Sequence, residues 1–429
     1  MFETAVGMSR QWDAYSAGRE VGEEVWGKMH NAPKFVLFFS SIHYKKNGGF
    51  NKLLEGFYSV VPKEVKLVGG TVAGFINNNG VFTRGATALA VYSDEMDVAT
   101  GIGHNTKRAP EMAGRRCAET IKSGLEKSGY KNKYVFEFTC SGLVPSLPFI
   151  GSKRVMKMPK LLSRLTILGL SFATRTMQIG VGREDDVVRK MSEVLDEFTV
   201  LGGSTLDNNK WEFSYQFFNN KAYTNSVVAV GIQSDLESVF SSSSGLKPTG
   251  VKMKPTKVGL YGCAIESIEG KPAAEAVREK LGWPKDFYDE NLHRRTLYYP
   301  LCYEQEGEVS SRVMALIVGD DIVFTNVVGD NELEVNHASG KSLIECVDAG
   351  LEETAEFKDR SVFAFIVSCC ARLEALGAQT YKVHERVEKS LDGVPFLGIY
   401  ASGEDVRVPG KRHNRLNETF NLVSFYKRP

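Results

Sequence analysis

No stretch of this chain is long and apolar enough to span a bilayer. The longest candidate beside a basic flank, Leu165 to Ala173, falls far short of the roughly 20 residues required. The opening segment MFETAVGMSRQWDAY lacks the apolar region of a secretory signal. Charge of one sign is not in excess: 53 Lys and Arg stand against 52 Asp and Glu, leaving +1, so no broad footprint for nucleic acid is expected. Cysteines are few, seven in all, odd in number and without framework spacing. They sit mostly in apolar patterns, as reduced thiols of a cytoplasmic protein do. Paired catalytic carboxylates, a Ser-His-Asp order, a phosphate loop, a dinucleotide fingerprint and spaced zinc ligands are all missing, and an enzyme is not expected.

What is present is repetition. Val65 to Asp94 reads VKLVGGTVAGFINNNGVFTRGATALAVYSD, and Phe198 to Asp235 reads FTVLGGSTLDNNKWEFSYQFFNNKAYTNSVVAVGIQSD. Each has an apolar run ending in Gly-Gly-Thr or Gly-Gly-Ser, then Asn-rich turns, then an alternating strand ending in Ser-Asp. A helical pattern precedes both, at Phe50–Val60 and Glu184–Glu197. The second half repeats the order strand, gap, long helix, strand, cysteine, which makes Cys140 and Cys369 equivalent ends of strands. With 42% hydrophobic residues over 429 positions, sizeable cores can form.

The expected fold is mixed α/β, with two related domains of largely antiparallel or mixed sheets flanked by helices. Ala86 to Ile102 and Val313 to Val328 read as hairpins. The domains run over residues 1–235 and 257–429. Between them, the serine run and scattered Pro and Lys of 236–256 predict a linker. A basic insertion at 152–177, with Lys153, Arg154, Lys157, Lys160 and Arg164 among Val, Met and Leu, has two readings. It is a membrane-surface or partner helix, or, the favoured reading, a solvated insertion packing its apolar side on the domain.

Several segments together resemble the FIST domain family, named for F-box and intracellular signal transduction proteins. SAGREVGEEV (16–25), SSIHY (40–44), LVGGTVAG (67–74) and LGGSTLDNN (201–209) are similar to motifs of its N-terminal domain. IESIEGKPAAEAVREKLG (265–282), VSCCAR (367–372), VPFLGIYASGE (394–404) and NET (417–419) are similar to motifs of its C-terminal one. Departures are Glu269 for the favoured Asp, Ala371 and Leu373 for glycine, and Leu416 where many members carry histidine. The resemblance implies a non-enzymatic sensory or signal-transduction module that binds a small molecule, with amino acids suggested. Its signalling partner would act in trans, since both halves are consumed by the family's domains.

The candidate ligand-binding residues fall at strand ends. Gly69, Gly70 and Thr71, with Gly202, Gly203 and Ser204, offer free backbone N–H groups and a hydroxyl to an anion, or are bulges needing unusual dihedrals. Cys369, Arg372, Tyr400, Gly403 and Glu404 are expected to converge on one cleft. Arg372 would take a carboxylate bidentately, Glu404 an ammonium group, and Tyr400 would supply an apolar face. Three rivals stay open: a thiol enzyme using Cys369 or Cys370 with His384 as base, a protein-recognition scaffold, and a haem sensor. For the last, suggested by the resemblance, the histidines are His30, His43, His104, His293, His337, His384 and His413, with no Cys-x-x-Cys-His among them. No cofactor is expected.

Overall fold

A computed structural model describes residues 1–144, 153–305, 308–409 and 414–428. KFVLFFS and its counterparts are continuous apolar runs because both faces of their strands are covered. Phe35, Leu37 and Phe39 turn to one side of Phe35–Ser40; Val36 and Phe38 turn to the other. The same alternation recurs in Asn132–Cys140 and Ser361–Cys369. These three strands are the centres of three sheets.

Each sheet has six strands in one order. The first runs Phe2–Ser9, Ala86–Ser93, Phe35–Ser40, Lys66–Thr71, Gln216–Phe218, Lys221–Tyr223. The second runs Met96–His104, Ser226–Ser234, Asn132–Cys140, Thr199–Thr205, Glu404–Arg407, Asn414–Leu416. The third runs Glu237–Ser244, Thr419–Tyr426, Ser361–Cys369, Phe396–Ala401, Gly74–Asn77, Gly80–Phe82. In each, the two central strands are parallel and their outer neighbours antiparallel. Register makes the equivalence exact to the residue: Ser40 lies opposite Thr71, Thr139 opposite Ser204, and Ser368 opposite Tyr400. The repeat seen in the sequence is therefore present three times. Cys140 and Cys369 do occupy the same place.

The last two strands of each sheet come from elsewhere in the chain. Hairpin 74–82 leaves the first unit for the third sheet, hairpin 216–223 leaves the second for the first, and the paired strands Glu404–Arg407 and Asn414–Leu416 leave the third for the second. This cyclic exchange closes the three sheets around a common core. Phe35, Tyr134 and Phe363 form one layer of it; Leu37, Phe136 and Phe365 the next; Phe39, Phe138 and Val367 the third. Their rings interlock across units, with Phe39–Phe138 centroids 4.8 Å apart and Phe136–Phe365 5.2 Å. A pair of helices covers each outer face: Ala14–Gly27 and Phe50–Tyr58, Pro110–Gly124 and Glu184–Val194, Gly340–Glu352 and Tyr381–Leu391.

Three expectations are corrected. Residues 236–256 are not a linker but hold the strands Glu237–Ser244 and Lys247–Met253. An edge strand needs backbone partners more than apolar side chains, and serine lets a helix lie close: a Cβ on Gly350 would stand 2.8 Å from Ser241 Oγ. Ala86–Ser93 and Met96–His104 are no hairpin; each pairs within its own sheet. The basic insertion, whose Ser152 lies outside the described residues, contains the helix Lys160–Thr176. It turns Ser163, Leu170 and Thr174 inward and leaves Leu161, Leu165, Leu168 and Phe172 exposed, the reverse of the favoured packing.

Candidate functional site

Where the parallel strands end, each unit hands its backbone to the next. At the first junction, Thr71 N donates to Tyr215 O at 2.9 Å and Leu206 N to Thr71 O at 2.9 Å. At the second, Ser204 N donates to Gly403 O at 3.2 Å and Ser402 N to Ser204 O at 3.0 Å. At the third, Ala73 N donates to Tyr400 O at 3.2 Å. Thr71, Ser204 and Tyr400 thus stand in one position repeated three times. Gly69 and Gly70 belong to the first junction, and Gly202, Gly203 and Gly403 to the second. The glycine pairs serve close approach of protein to protein. A Cβ on Gly203 would lie 2.7 Å from Gly403 O and 3.0 Å from Ala401 Cβ, and one on Gly70 would meet Tyr215 O.

The junctions differ in chemistry. Gly70 faces Gln216, Gly203 faces Glu404, and Ile399 faces Phe75. The third is apolar. At the first, Gln216 is satisfied: Nε2 donates to Thr205 Oγ1 at 2.7 Å and Ser214 Oγ at 3.0 Å, and Oε1 accepts from Ser226 N at 3.1 Å. At the second, Glu404 Oε2 accepts from Thr419 N at 3.2 Å and Thr419 Oγ1 at 2.8 Å, the equivalent bond. No nitrogen or hydroxyl donor reaches its Oε1, and the Cys369 thiol hydrogen-bonds the same carboxyl. Nor does such a donor reach Oε1 of Glu418 or Oδ1 of Asn421, whose Nδ2 donates to Thr419 Oγ1 at 2.8 Å. All three residues are buried. Buried acceptors without donors are costly, and the proton that each raised carboxyl retains supplies an O–H that offsets part of that cost.

Electrostatics ties the neighbouring groups to this junction. Burial pushes the Glu404 carboxyl well above its usual range, and the Cys369 thiol adds to the push against the Thr419 hydrogen bonds. Glu418 is raised by burial and by Glu404, with Arg372 opposing. Tyr400 is pushed up to about 12 by burial, again opposed by Arg372. Charge interactions thus link Cys369 to Glu404 and Arg372 to Tyr400 and Glu418, in a closed node with Glu404 wholly inaccessible rather than in the open cleft expected. Arg372 is not a free guanidinium either. It is 1% exposed, and Nη2 donates to Leu343 O at 2.6 Å and Nη1 to Cys346 Sγ at 3.2 Å. Sequence reading missed Glu418, Thr419 and Asn421. Their signal was the closing Asn-Glu-Thr, in which Glu418 takes a left-handed φ of 61° that aims a carboxyl inward.

A second buried cation went unseen. Lys107, fully buried, sets Nζ 3.2 Å from Cys140 Sγ, 3.0 Å from Ser141 O and 3.2 Å from Asn225 Oδ1. All seven cysteines are buried and unbridged, and burial pushes the thiols of Cys117, Cys263, Cys302 and Cys369 upward. A disulfide reagent at neutral pH should accordingly find almost no fast-reacting thiol in the native protein and seven after denaturation. One rapid equivalent lost in Cys369→Ser would instead restore the thiol enzyme.

Of the histidines, Nε2 of His43 lies 3.0 Å from Trp12 O and Nδ1 of His104 2.9 Å from Ser226 Oγ. Burial and nearby Arg154 lower His293 to about 3. His413 lies outside the described residues. Among the described residues no group of three or more His, Cys, Asp or Glu is placed to hold a metal ion. Four cavities of about 410–650 Å³ lie away from the node.

The family model of the FIST N domain matches residues 34–271, and that of the FIST C domain residues 273–407. No curated protein matches. Among solved structures, cyanuric acid hydrolase from A. caulinodans is similar at a TM-score of 0.39 and 7% identity, with 100% of both chains covered. PurLQS from Thermotoga maritima is similar at 0.19 and 10%, over 100% of this chain and 72% of that one. Likenesses of that size carry no argument about this chain.

Proposed function

Because the chain belongs to the FIST family, we propose that it is a cytoplasmic sensory module binding a small ligand that presents a cationic donor, such as the ammonium group of an amino acid. One observation carries this reading. Among the described residues, only the second of the three equivalent junctions buries two carboxyl groups, Glu404 and Glu418, each with an oxygen that no nitrogen or hydroxyl donor reaches, beside the equally unmet Oδ1 of Asn421. The node is closed, so a ligand reaches it only as the surrounding strands open, and its cation would then favour the ionised carboxylates. The unbridged cysteines fit a reducing compartment.

Proton linkage gives the test its sign. Both carboxyls bind protons more tightly folded than unfolded, so their contribution to the stability of the ligand-free protein is fully present below the ordinary value of 4.5 and is lost as pH rises above it. Glu404→Gln should therefore melt higher than the parent at pH 8, with the gap closing by pH 4. In a melting-point screen over the amino acids at pH 8, a true ligand should stabilise the parent, and Glu404→Gln should cancel that response.

A second location has its own support. A cavity of about 460 Å³ at the opposite ends of the strands draws Ser93, Asp235 and Lys427 from three units, with Glu95 and Lys131 beside them, charges of both signs that suit a zwitterion. A ligand response kept in Glu404→Gln and lost in Lys131→Ala would put the ligand there.

A further inference from the structure

The helix Lys160–Thr176 carries its apolar stripe on the outside. Leu161, Leu165, Leu168 and Phe172 recur at helical spacing on one face, at 73, 56, 65 and 68% exposure, with Leu162 and Met177 exposed beside them. Exposed leucines are common singly; a contiguous stripe marks an interaction surface. The helix is not misplaced, because its inward face is specifically anchored. Ser171 Oγ donates to Tyr261 Oη at 2.8 Å, Arg108 Nε donates to Arg175 O at 3.0 Å, and Ser163 packs beneath Gly319, whose added Cβ would stand 2.8 Å from Ser163 Cβ.

Charge chooses the occupant. The helix contains no Asp or Glu. Lys160 and Arg164, with Arg175 near its end and Lys153 and Lys157 before its start, are all exposed. At 100° per residue, Arg164 falls along the edge of the apolar stripe, where a long cationic side chain reaches lipid headgroups while its stem stays on the apolar surface; Arg175, on the same edge, sets its guanidinium 5.1 Å over the Tyr261 ring. A second copy would set cations against cations along the same edge, with no acidic residue in the helix to answer them. No helix among the described residues is long and apolar enough to cross a membrane, so the geometry is that of a helix lying in the surface plane.

We propose that Lys160–Thr176 docks the protein on anionic lipid bilayers, its leucines and Phe172 in the headgroup–acyl boundary and its basic residues on the lipid charges. The test is sedimentation of the full chain with vesicles of phosphatidylglycerol and phosphatidylcholine in equal parts, against phosphatidylcholine alone. The expected result is binding to the anionic vesicles at low salt, reduced at high salt. Binding should fall at least about tenfold both in a Leu165→Ser, Leu168→Ser, Phe172→Ser variant and in Lys160→Glu, Arg164→Glu. These side chains are exposed, so unchanged melting curves should show the fold intact. Failure to bind anionic vesicles at any salt, or binding kept by both variants, overturns the proposal. A dimer dissolved by the serine variant without any vesicle binding overturns it too, in favour of self-association.

Discussion

Phe365→Ala should cost about 3–5 kcal/mol, the range for truncating a buried aromatic ring, and should weaken all three sheets together. Phe365 is fully buried and packs its ring 6.3 Å from Phe39, 5.2 Å from Phe136 and 6.2 Å from Phe138, residues of the other two units. No sheet owns that core alone. Urea unfolding followed by tryptophan fluorescence and by far-ultraviolet dichroism should give coincident curves for parent and variant, displaced to lower denaturant in the variant. Two separated transitions, with the first half outlasting the second, would mean that the units do not share a core.

Arg372→Ala is the second large effect, again about 3–5 kcal/mol, because it combines a cavity with the loss of a buried charge from its partners. Leu343 O and Cys346 Sγ would lose their donor, and Glu418 the cation that opposes its raised carboxyl pKa. Arg372→Met, which keeps most of the volume, should cost less. Adding Glu418→Gln to Arg372→Ala should recover part of the loss, because the neighbouring acidic group is then gone. Melting curves of the four proteins check this. An Arg372→Ala protein as stable as the parent would return the guanidinium to the role of a free carboxylate receptor.

Local pattern made much of this visible. The apolar run of Phe35–Ser40 and the Gly-Gly repeat at 69–70 and 202–203 announced strands that are where the periodicity put them. The third copy was harder to recognise because Gly398-Ile399 replaces the glycine pair. Its junction faces Phe75 and can hold a side chain that the others cannot. The exchange of hairpins left no trace in period or composition. Pairing between Gly74–Asn77 and Phe396–Ala401 is set by closure around the core, a long-range effect. For Lys160–Thr176 the sequence showed two faces, but only packing against Tyr261 and Gly319 decided which one looks outward. Glu418 entered the sequence reading only within the Asn-Glu-Thr motif; its buried carboxyl goes with a left-handed backbone that no spacing rule reports.

Translation, which delivers the chain from its N-terminus, meets this topology at an awkward order. The hairpin at 74–82 emerges early and waits for Phe396–Ala401, nearly the last strand made. Once Tyr223 has left the ribosome the first sheet has every strand, whereas Thr199–Thr205 keeps one edge bare until Glu404–Arg407 arrives. Bare edges of apolar strands recruit other chains. Nascent forms therefore expose an edge of the kind that holding chaperones cover until Glu404–Arg407 is made. A premature stop upstream of Glu404 does more than shorten the C-terminus: it leaves the second sheet, made long before, permanently open.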